Sequence, residues 1–510
     1  MFKQVVPEQT ERNVIAAIDE ARTSRQRFAS TYNAFFDLAA PWKMRVNEGS
    51  HDEPRSPTDQ DDVFDSTLQE VADDWAANIA DEATPSYRDW ASHEPVDSLS
   101  QSAKKQIAPF VKARKKLVYD TIRESSFEQS SQECYLDLGI GPCGMMIRYT
   151  RVGQPIDCEY APLAQLLLGP GPMGGVGVRF WERKVKVRNL DTIWPDIDWS
   201  HIKPTLELRR QDKGSVTILE GGIRDYDAPE EAWDWYVIER NKVCYHKRFT
   251  GRGSCPLQVG RIFVSEPSAY GVNPGAKALA PARTLNEMAY LELKRTAKVV
   301  DPPGIFSDPT GTLNPEAGFE PGIWHEAGDG FNVQDLAPQN DVREAYFKRE
   351  ELKMEIRRAL YQDKPYQRGQ TPPSASQWIG EERMTAQRRT LYRARLHNEW
   401  TLSIIHRFEW ILEKRGQLDP IEYEGEIVDV RPVTPLSRAA DLAEVEAGEK
   451  LLAIVGSYFP NELGLEVNVR KTVDEFKKRM GDETVILNSD EERGAIMEQR
   501  AMQAGGAGEP

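Results

Sequence analysis

The spacing of hydrophobic and polar positions divides the chain into two mainly helical regions with a strand-rich region between them. Over residues 11–40, apolar side chains recur at steps of three and four, the period of a helix with one buried face. Pro41 ends this pattern, because proline cannot continue a helix. Residues 153–270 carry short β-branched or aromatic runs bounded by Gly, Pro and Asp, which predicts strands. The pattern therefore predicts an α+β fold.

Two further helices are predicted before the strand-rich region. One begins at residues 63–67 and stops near Thr84, where Pro85 follows. A basic amphipathic helix is predicted over 101–136, and the segment MMIRYT (145–150) then begins a strand. The first of these helices offers two candidate capping boxes, in which side chains satisfy free amides of the first turn. The candidate pairs are Ser66 with Gln69 and Thr67 with Glu70.

The second half of the chain is predicted to be helical on both sides of an irregular excursion. Residues 275–300 carry a stripe of mostly small side chains at helical spacing, which suits helices that pack closely together. Residues 341–361 form a helix with eleven charged positions in 21. A breaker-rich loop precedes a long helix over 378–415, whose apolar second half predicts burial and whose end is marked by Gly416. The segment 301–339, rich in Pro and Gly, is expected to hold two short strands.

Composition limits the size of the core and the kind of partner. The 510 residues include 65 Lys+Arg and 81 Asp+Glu, a net charge of −16, with 39% hydrophobic and 29% charged residues. This length allows about three compact units, with a modest core and much surface left for water or partner subunits. The acidic balance argues against a protein that simply coats nucleic acid, because such proteins are usually basic.

Cysteine usage and hydropathy indicate the compartment. Five cysteines at irregular spacing predict reduced thiols in a cytoplasmic folding compartment. No stretch approaches the 18 consecutive apolar residues of a membrane span, so no membrane partner is expected. The first residues turn polar at once, which argues against a secretory signal.

The sequence lacks the recognised arrangements of catalytic residues. GPGPMG (169–174) matches G-x-G-x-x-G formally, but an alternating strand pattern follows it, which predicts a plain turn. No G-x-x-x-x-G-K-[ST], G-x-S-x-G or H-E-x-x-H is present. Cys244 and His246 could supply half of a metal site, but no second ligand pair accompanies them. We therefore expect no enzyme activity, no catalytic residues, no cofactor and no bound metal.

Several strings resemble portal proteins, the head-to-tail connectors of short-tailed bacteriophages. The resemblance covers residues from about 10 to 415, and ADEATP (80–85) departs from the more apolar approach to Thr-Pro that is usual in the family. The strings that carry it are DST (65–67), ATPSYRDW (83–90), LDLGIGPCGMMIRY (136–149), RIFVSEPSAYGVNPGAKALAPARTLNEM (261–288) and the pair Pro302-Pro303.

The resemblance implies a homo-oligomeric ring, normally a dodecamer, at one capsid vertex of the virion, assembled in the bacterial host cytoplasm. Terminase pumps double-stranded DNA through such a ring without regard to sequence, and the genome is later ejected the same way. Its implied partners are the terminase large subunit, a tail adaptor, and the major capsid and scaffolding proteins. The implied division of the chain is a mixed wing (1–274), stem helix 1 (275–300), a small α/β clip (301–339), stem helix 2 (340–361), a channel loop (362–380), a long wing helix (381–415), a helical crown (416–490) and a flexible tail (491–510).

Three groups of candidate residues follow from the resemblance. In the channel loop, the candidates for DNA contact are Lys364, Arg368 and Gln370. The candidates for ion pairs between subunits are Arg383, Arg388, Arg389, Arg393 and Arg395. In the clip, the candidates for docking terminase or the adaptor are Pro302, Pro303, Phe306, Phe319 and Trp324.

Charge indicates the kind of DNA contact. Residues 341–361 and 362–380 each carry a basic surplus of one, and residues 381–396 carry a surplus of three. The rest of the chain is strongly acidic, so such a ring would guide DNA without the tight, salt-sensitive grip of many phosphate contacts. By sequence alone, 341–361 could equally be a solvated helix on a monomer.

Two other functions remain open from the sequence. A head-tail adaptor would also form a ring, but without the long helix over 378–415. Another DNA-packaging protein, such as a terminase subunit, would need the missing phosphate-binding motif and a metal-binding carboxylate cluster.

Overall fold

The chain divides into two compact units. The first comprises Met1–Asp89 and Ile107–Ile427, and the second comprises Trp90–Gln106 and Val428–Pro510. This computed structural model describes residues 7–46, 62–87, 89–95, 101–149, 156–199, 214–307, 321, 323–327, 334–335, 343–362, 388, 393–419, 421–423, 426–427, 430–433, 439–458, 467–480 and 494.

The first unit begins with two helices where the periodicity predicted one. Helix α1 spans Glu8–Gln26 and helix α2 spans Ala29–Ala39. The prediction of a single helix over 11–40 was wrong at Phe28, whose ring stacks on Tyr32 with centroids 5.9 Å apart and lies 6.1 Å from the ring of Tyr270. A distant aromatic contact therefore lies at the break, and the apolar period alone does not reveal it.

Helix α3 spans Thr67–Ala83. Its C-cap is Thr84, which is where the helix was predicted to stop. Its cap differs from both predicted boxes. Asp65 Oδ1 accepts a hydrogen bond from the Thr67 amide at 2.9 Å, and the Ser66 hydroxyl donates to the Glu70 carboxylate at 3.0 Å. The first free amide is thus satisfied by an aspartate two residues earlier, in the manner of an Asx turn.

The basic helix predicted over 101–136 is also two helices, α4 (Gln101–Glu124) and α5 (Phe127–Asp137). Between them the Ser126 hydroxyl accepts a hydrogen bond from the Cys158 amide at 2.9 Å. It also lies 3.0 Å from the Cys158 carbonyl. A serine that bonds a strand backbone in this way ends a helix whose side-chain period continues.

Two antiparallel sheets form the strand-rich body. One has the order β3-β2-β9, and the other is a meander of five consecutive strands, β4 to β8. GPGPMG lies at the β4–β5 turn, as predicted, and Gly174 there has φ +75°. The strands are β2 (Cys143–Tyr149), β3 (Ile156–Ala161), β4 (Leu166–Pro170), β5 (Val176–Lys186), β6 (Ser215–Asp225), β7 (Ala232–Glu239), β8 (Lys242–Thr250) and β9 (Leu257–Gly260).

The meander packs apolar side chains on both faces. On one face, Ile218 and Val237 join a cluster with Trp194 and Trp199, in the segment that contains helix α6 (Leu190–Ile193). On the other face, the neighbouring Leu219 packs with Val14 and Ile18 of α1. Successive residues of a strand point to opposite faces, so one strand contributes to both cores.

The described residues in the second half of the first unit contain helices at predicted positions. Of the helix predicted over 378–415, residues 378–387 and 389–392 lie outside the described residues. Helix α7 spans Gly275–Val300, and helix α8 spans Arg343–Ala359. A π-helical segment, His397–Thr401, leads into helix α9 (Leu402–Lys414), and Gly416 follows with φ +65°. Helix α9 is largely buried, as predicted. Between α7 and α8, the described residues include three strands where two were expected, β10 (Gly304–Ser307), β11 (Trp324–Ala327) and β12 (Gln334–Asp335).

The last hundred residues add strands to a region predicted to be helical. Strands β13 (Glu422–Tyr423) and β14 (Glu426–Ile427) pair within the first unit. In the second unit, strand β1 (Ser92–Pro95) pairs antiparallel with β15 (Val430–Val433), 335 or more positions away. Helices α10 (Ala439–Tyr458) and α11 (Val469–Met480) follow. The expected flexible tail, 491–510, lies outside the described residues except for position 494.

The architecture is α+β, as predicted, with mostly antiparallel sheets and one parallel pair between β10 and β11. Within the described part of the chain, no helix combines the length and apolar character needed to cross a membrane.

Candidate functional site

Helices α7 and α8 form the part of the chain that the resemblance assigns to a stem, and they pack against each other. Ala278, Ala282 and Leu285 of α7 are buried at helical spacing. On α8, Leu352 and Ile356 are buried four positions apart. The small side chains of α7 therefore pack within the chain itself over its first four turns.

The same stripe becomes exposed in the second half of α7. Leu293 is 55% exposed and Val300 is 79% exposed. On α8, Phe347 is 78% exposed. The other large apolar side chains exposed on the pair are Leu291, Val299 and Tyr346. Relative to the described residues, large apolar side chains are therefore exposed at this end of the helix pair.

An amide and an ion pair fasten the helix pair to the residues that precede α3. Asn286 Oδ1 accepts hydrogen bonds from the amides of Phe64 at 2.7 Å and Asp65 at 3.2 Å. Its Nδ2 donates to the Asp62 carbonyl at 2.9 Å. Arg349 of α8 bonds Glu292 of α7 and lies 3.8 Å from Asp65. The strings DST and LNEM, more than 200 residues apart, therefore meet at one point.

A second junction fixes the start of α7 against the end of α5. Asn273 Nδ2 donates to the carbonyls of Leu138 at 2.8 Å and Gly141 at 2.7 Å. The Gly275 amide donates to the Gly139 carbonyl at 2.8 Å. A Cβ on Gly275 would lie 2.6 Å from the same carbonyl oxygen, so only glycine permits this approach. The strings LGIG and NPG are therefore complementary parts of one contact.

Buried tyrosines complete that junction. The Tyr32 hydroxyl donates to the Gly271 carbonyl at 2.6 Å. The Tyr270 hydroxyl donates to the Leu166 carbonyl at 2.9 Å and accepts from the Leu168 amide at 2.8 Å. Burial raises the pKa of both phenols. The two side chains are therefore neutral structural ties that connect helix, strand and the start of α7.

Two buried arginines join residues 397–414, which include helix α9, to the strand-rich body. Arg261, buried at the start of the longest family-like string, pairs with both oxygens of Glu399 at 2.6 and 2.8 Å. Arg407 is buried and donates to the carbonyls of Ile147 at 3.0 Å and Ser254 at 2.8 Å. Burial lowers the pKa of Arg407 to about 10, so the side chain is still charged at neutral pH.

The five arginines predicted for subunit contacts have different surroundings. Arg393 pairs with Glu82 of its own chain at 2.8 Å. Arg395 lies 3.9 Å from Glu399 and donates to the Ile262 carbonyl at 3.4 Å. Arg388 is exposed. The remaining two, Arg383 and Arg389, lie outside the described residues, and a role at a subunit interface stays a prediction for all five.

Two of the clip candidates, Phe306 and Trp324, belong to a small sheet in which β10 lies between β11 and β12. Trp324 is 47% exposed, and its ring covers Gly304 on the neighbouring strand, where a Cβ would lie 2.4 Å from the ring. Pro303 is buried and Pro302 is half-buried just before β10. Phe306 lies within β10. The last candidate, Phe319, lies outside the described residues, as do the channel-loop candidates Lys364, Arg368 and Gln370.

The described residues contain no group of three or more His, Cys, Asp or Glu side chains that could hold a metal ion. His246 Nε2 lies 3.2 Å from Asp234 Oδ1, and Cys244 Sγ lies 3.5 Å from the Lys242 carbonyl, so each has a partner within the sheet. Burial raises the pKa of Cys244 to about 11 and that of Cys158 to about 12, which suits inert structural thiols.

The sequence matches the family described as bacteriophage head to tail connecting protein over residues 11–487, and the chain belongs to that family. No curated protein sequence matches the chain.

Three solved structures of gene transfer agent (GTA) particles are similar, each with 14% sequence identity. A chain of the neck of the empty particle, computed with C6 symmetry, has a TM-score of 0.38 and covers 87% of this chain and 98% of its own. A chain of the native virion has a TM-score of 0.34, with 75% and 95% covered. A chain of the native neck, computed with C12 symmetry, has a TM-score of 0.31, with 78% and 98% covered.

Proposed function

We propose that this chain is the portal protein of a short-tailed bacteriophage. Copies of the chain form a ring, a dodecamer, at a unique capsid vertex of the virion. Terminase packages double-stranded DNA through the ring, the genome leaves by the same channel, and the tail attaches there. The chain itself carries out no chemical step, and the ring assembles in the host cytoplasm.

The observation that carries this proposal is the split stripe of α7. Its first half is buried against the same chain, whereas Leu293 and Val300 continue the same face and are exposed. Together with Phe347 they give the helix pair an apolar surface that the described part of the chain leaves open. Subunits arranged around an axis would cover such a surface, because every copy offers the same helix pair to its neighbour.

The proposed roles of the segments follow the division of the chain that the family resemblance implies. The helix pair would line the channel as its stem, and the small sheet containing Trp324 would be the clip that docks terminase and later the tail adaptor. Residues 1–274 would form the wing, which meets the major capsid and scaffolding proteins, and 416–490 would form the crown. An exposed tryptophan suits a docking role, since aromatic side chains are enriched at the centres of interfaces.

DNA contact would fall to the channel loop, 362–380, through Lys364, Arg368 and Gln370. One acidic and two basic side chains in that loop give only a small positive surplus. Translocation requires weak contact that ignores sequence, and few phosphate contacts provide this.

Negative-stain microscopy of the purified full chain tests the proposal. Rings with a central hole are expected, together with an oligomeric mass by light scattering. A strictly monomeric protein at high concentration would overturn it. ATP hydrolysis or nuclease activity by the pure protein would favour a packaging enzyme instead.

A further inference from the structure

One side of helix α4 exposes an aromatic side chain next to basic ones. Phe110 is 65% exposed, and Leu117, seven positions later on the same side of the helix, is also exposed. The opposite side of α4 is buried. Relative to the described residues, the exposed side is therefore open, and we call it the Phe110 face. Its members are Phe110, Lys112, Ala113, Lys116 and Leu117.

The Phe110 face is basic. No acidic residue occurs from position 101 to 119, a stretch that contains six lysines and arginines. Arg114 and Lys115 pair with carboxylates of the same chain at 3.0 and 3.1 Å, whereas Lys112 and Lys116 belong to the exposed side. A surface that covers Phe110 therefore also meets lysine side chains, and electrostatic complementarity requires it to be acidic.

A cavity of about 180 Å³ lies among the end of α2, the end of α5 and the segment that follows β3. We call it the Trp42 cavity. An apolar cavity of about 150 Å³ holds a benzene molecule, so this one is large enough for the ring of a phenylalanine. Its apolar walls are Phe36, Trp42, Met44, Pro162, Leu163 and Ala164.

The polar groups that line the Trp42 cavity bond to one another. Lys43 Nζ donates to Asp137 Oδ1 at 2.7 Å and to the Tyr160 hydroxyl at 3.0 Å. The Tyr160 hydroxyl donates to Asp137 Oδ2 at 2.6 Å. Because these groups have partners within the chain, an occupant does not have to supply hydrogen bonds to them. An apolar side chain therefore suits the cavity.

The surface beside the Trp42 cavity is acidic. Glu133 lines the cavity with a half-exposed side chain, and it lies close to Asp73 of α3. Burial raises the pKa of Asp73, and the nearby charges of Asp74 and Glu133 raise it further. Both aspartates are exposed, and α3 contains five acidic residues and no basic one. The charge of this surface is thus opposite to that of the Phe110 face.

We propose that Phe110 of one copy of the chain occupies the Trp42 cavity of the next copy. The lysines of the Phe110 face then lie opposite the carboxylates beside the cavity. Because the two surfaces differ, the contact is head-to-tail, and such contacts close into a ring when the rotation between copies permits it. This inference rests on the proposed function, since it identifies a second contact between copies of the ring, in addition to the open face of α7 and α8.

Disulfide trapping in co-expressed full-length chains tests this contact. Phe110→Cys and Trp42→Cys are expressed together and separately, each with Cys244→Ser so that the remaining native thiols are buried. Copper phenanthroline and dioxygen then oxidise neighbouring thiols to disulfides. On a non-reducing gel, the co-expressed pair should give covalent dimers and each variant alone should give none. A chain that carries both new cysteines should give a ladder of longer multimers.

The controls distinguish this contact from ring formation itself. Met173→Cys in place of Phe110→Cys puts the thiol at a 90% exposed position in the β4–β5 turn and should give no dimers. Dimers from Phe110→Cys alone would show that identical faces meet, which would overturn the inference. Rings without dimers in the co-expressed pair would also overturn it, but not the proposed function. A wild-type chain that forms no rings would overturn both.

Charge reversal tests the same contact without cysteines. Lys112→Glu with Lys116→Glu should raise the chain concentration at half-assembly about tenfold or more, because like charges then face each other. Adding Asp73→Lys and Asp74→Lys should restore assembly, which would not happen if the first pair only damaged α4. Failure of the fourfold variant to recover assembly would overturn the inference.

Lys242→Glu with Lys247→Glu is the matched control. Both lysines are exposed on β8, and the pair changes the net charge by the same amount. This variant should assemble as readily as wild type. If it impaired assembly as much as Lys112→Glu with Lys116→Glu, net charge and not the Phe110 face would account for the effect, and the inference would be wrong.

Discussion

The side-chain oxygen of Asn286 accepts a hydrogen bond from the backbone amide of Asp65, a residue 221 positions earlier in the chain. Asp65 in turn caps helix α3 and lies 3.8 Å from Arg349 of α8. One short segment therefore connects three helices. This contact gives the DST and LNEM strings a common structural role.

Replacing Asn286 by alanine should free the segment before α3. The change removes two hydrogen bonds to the amides of Phe64 and Asp65 and one to the Asp62 carbonyl. At about 0.5–1.5 kcal/mol each, their loss should lower local stability by about 1.5–4.5 kcal/mol. Hydrogen–deuterium exchange measures this directly, as faster exchange of the Phe64 and Asp65 amides.

Thr284→Ala is the control for that experiment. Thr284 lies on the same helix and is exposed, and its hydroxyl bonds only the Ala280 carbonyl of its own turn. It should leave the exchange of Phe64 and Asp65 unchanged. If both variants gave the same exchange, Asn286 would not be the residue that holds the segment.

Breaking the Arg261–Glu399 pair should be among the most destabilising single changes in the first unit. Arg261 is buried and both its bonds to Glu399 are short, so Glu399→Ala leaves a buried charge without its partner. The expected loss in unfolding free energy is about 3–5 kcal/mol. Urea unfolding followed by tryptophan fluorescence measures it, and Arg261→Met with Glu399→Leu together should recover part of the loss.

Arg395→Ala provides the comparison on the same helix. Its contact with Glu399 is 3.9 Å long and its side chain is nearly half exposed, so its loss should cost no more than about 1 kcal/mol. Equal destabilisation by Glu399→Ala and Arg395→Ala would contradict the assignment of the buried pair as the main tie.

Sequence reasoning located the long elements better than their interruptions. The stripe of 275–300 was followed by Asp301 and two prolines, so both period and stop signal were local, and helix α7 has the predicted bounds. The breaks at Phe28 and Ser126 depend on contacts with Tyr270 and Cys158, which no local pattern contains. The pairing of β1 with β15 joins opposite ends of the sequence and was missed for the same reason.

In the candidate site, too, local sequence signals were predictable and long-range contacts were not. The family-like strings contain Asn273, Asn286 and Arg261. Spacing along the sequence does not predict, however, that Asn286 contacts Asp65. The arginines assigned to subunit contacts include Arg393, which has a partner in its own chain, Glu82. Partner choice among many charged residues depends on tertiary distance, which a net charge does not encode.

Alkaline pH should destabilise the first unit. Burial raises the pKa of several tyrosines, including Tyr32, Tyr135, Tyr160 and Tyr270. Burial alone lowers the pKa of Lys43, but its ion pair with Asp137 outweighs this, so that pKa is also raised. When the folded pKa exceeds the unfolded one, the stabilisation is complete below the unfolded pKa, about 10 here, and is lost as pH rises above it.

Urea unfolding at a series of pH values between 8 and 11 measures this effect. Each group contributes a slope of up to about 1.4 kcal/mol per pH unit. Tyr32→Phe should lose about 1 kcal/mol at neutral pH, for its bond to Gly271, and should show a shallower decline above pH 10. A flat profile up to pH 11 in the wild type would contradict the prediction.

The cysteines should resist thiol reagents in the folded protein. All five are free, and four are buried. With its pKa raised to about 11, Cys244 is thiolate in only about one molecule per thousand at pH 8, although it is the most accessible of the five. Colorimetric labelling at pH 8 should show one slow thiol, absent in Cys244→Ser, and five in guanidinium. Rapid labelling of several thiols without denaturant would contradict this.

Charge placed on the open face of the helix pair should prevent ring assembly without unfolding the chain. Leu293 and Phe347 are mostly exposed in the described structure, so Leu293→Asp and Phe347→Asp remove little internal packing. In a ring each would lose the roughly 1.5–3 kcal/mol gained by burying such a side chain, in every subunit contact. Light scattering should therefore show smaller species, with circular dichroism unchanged. Met173→Asp, at an even more exposed apolar residue in the β4–β5 turn, is the control and should assemble normally. Rings formed by both stem variants as readily as by wild type would show that this face is not the contact between subunits.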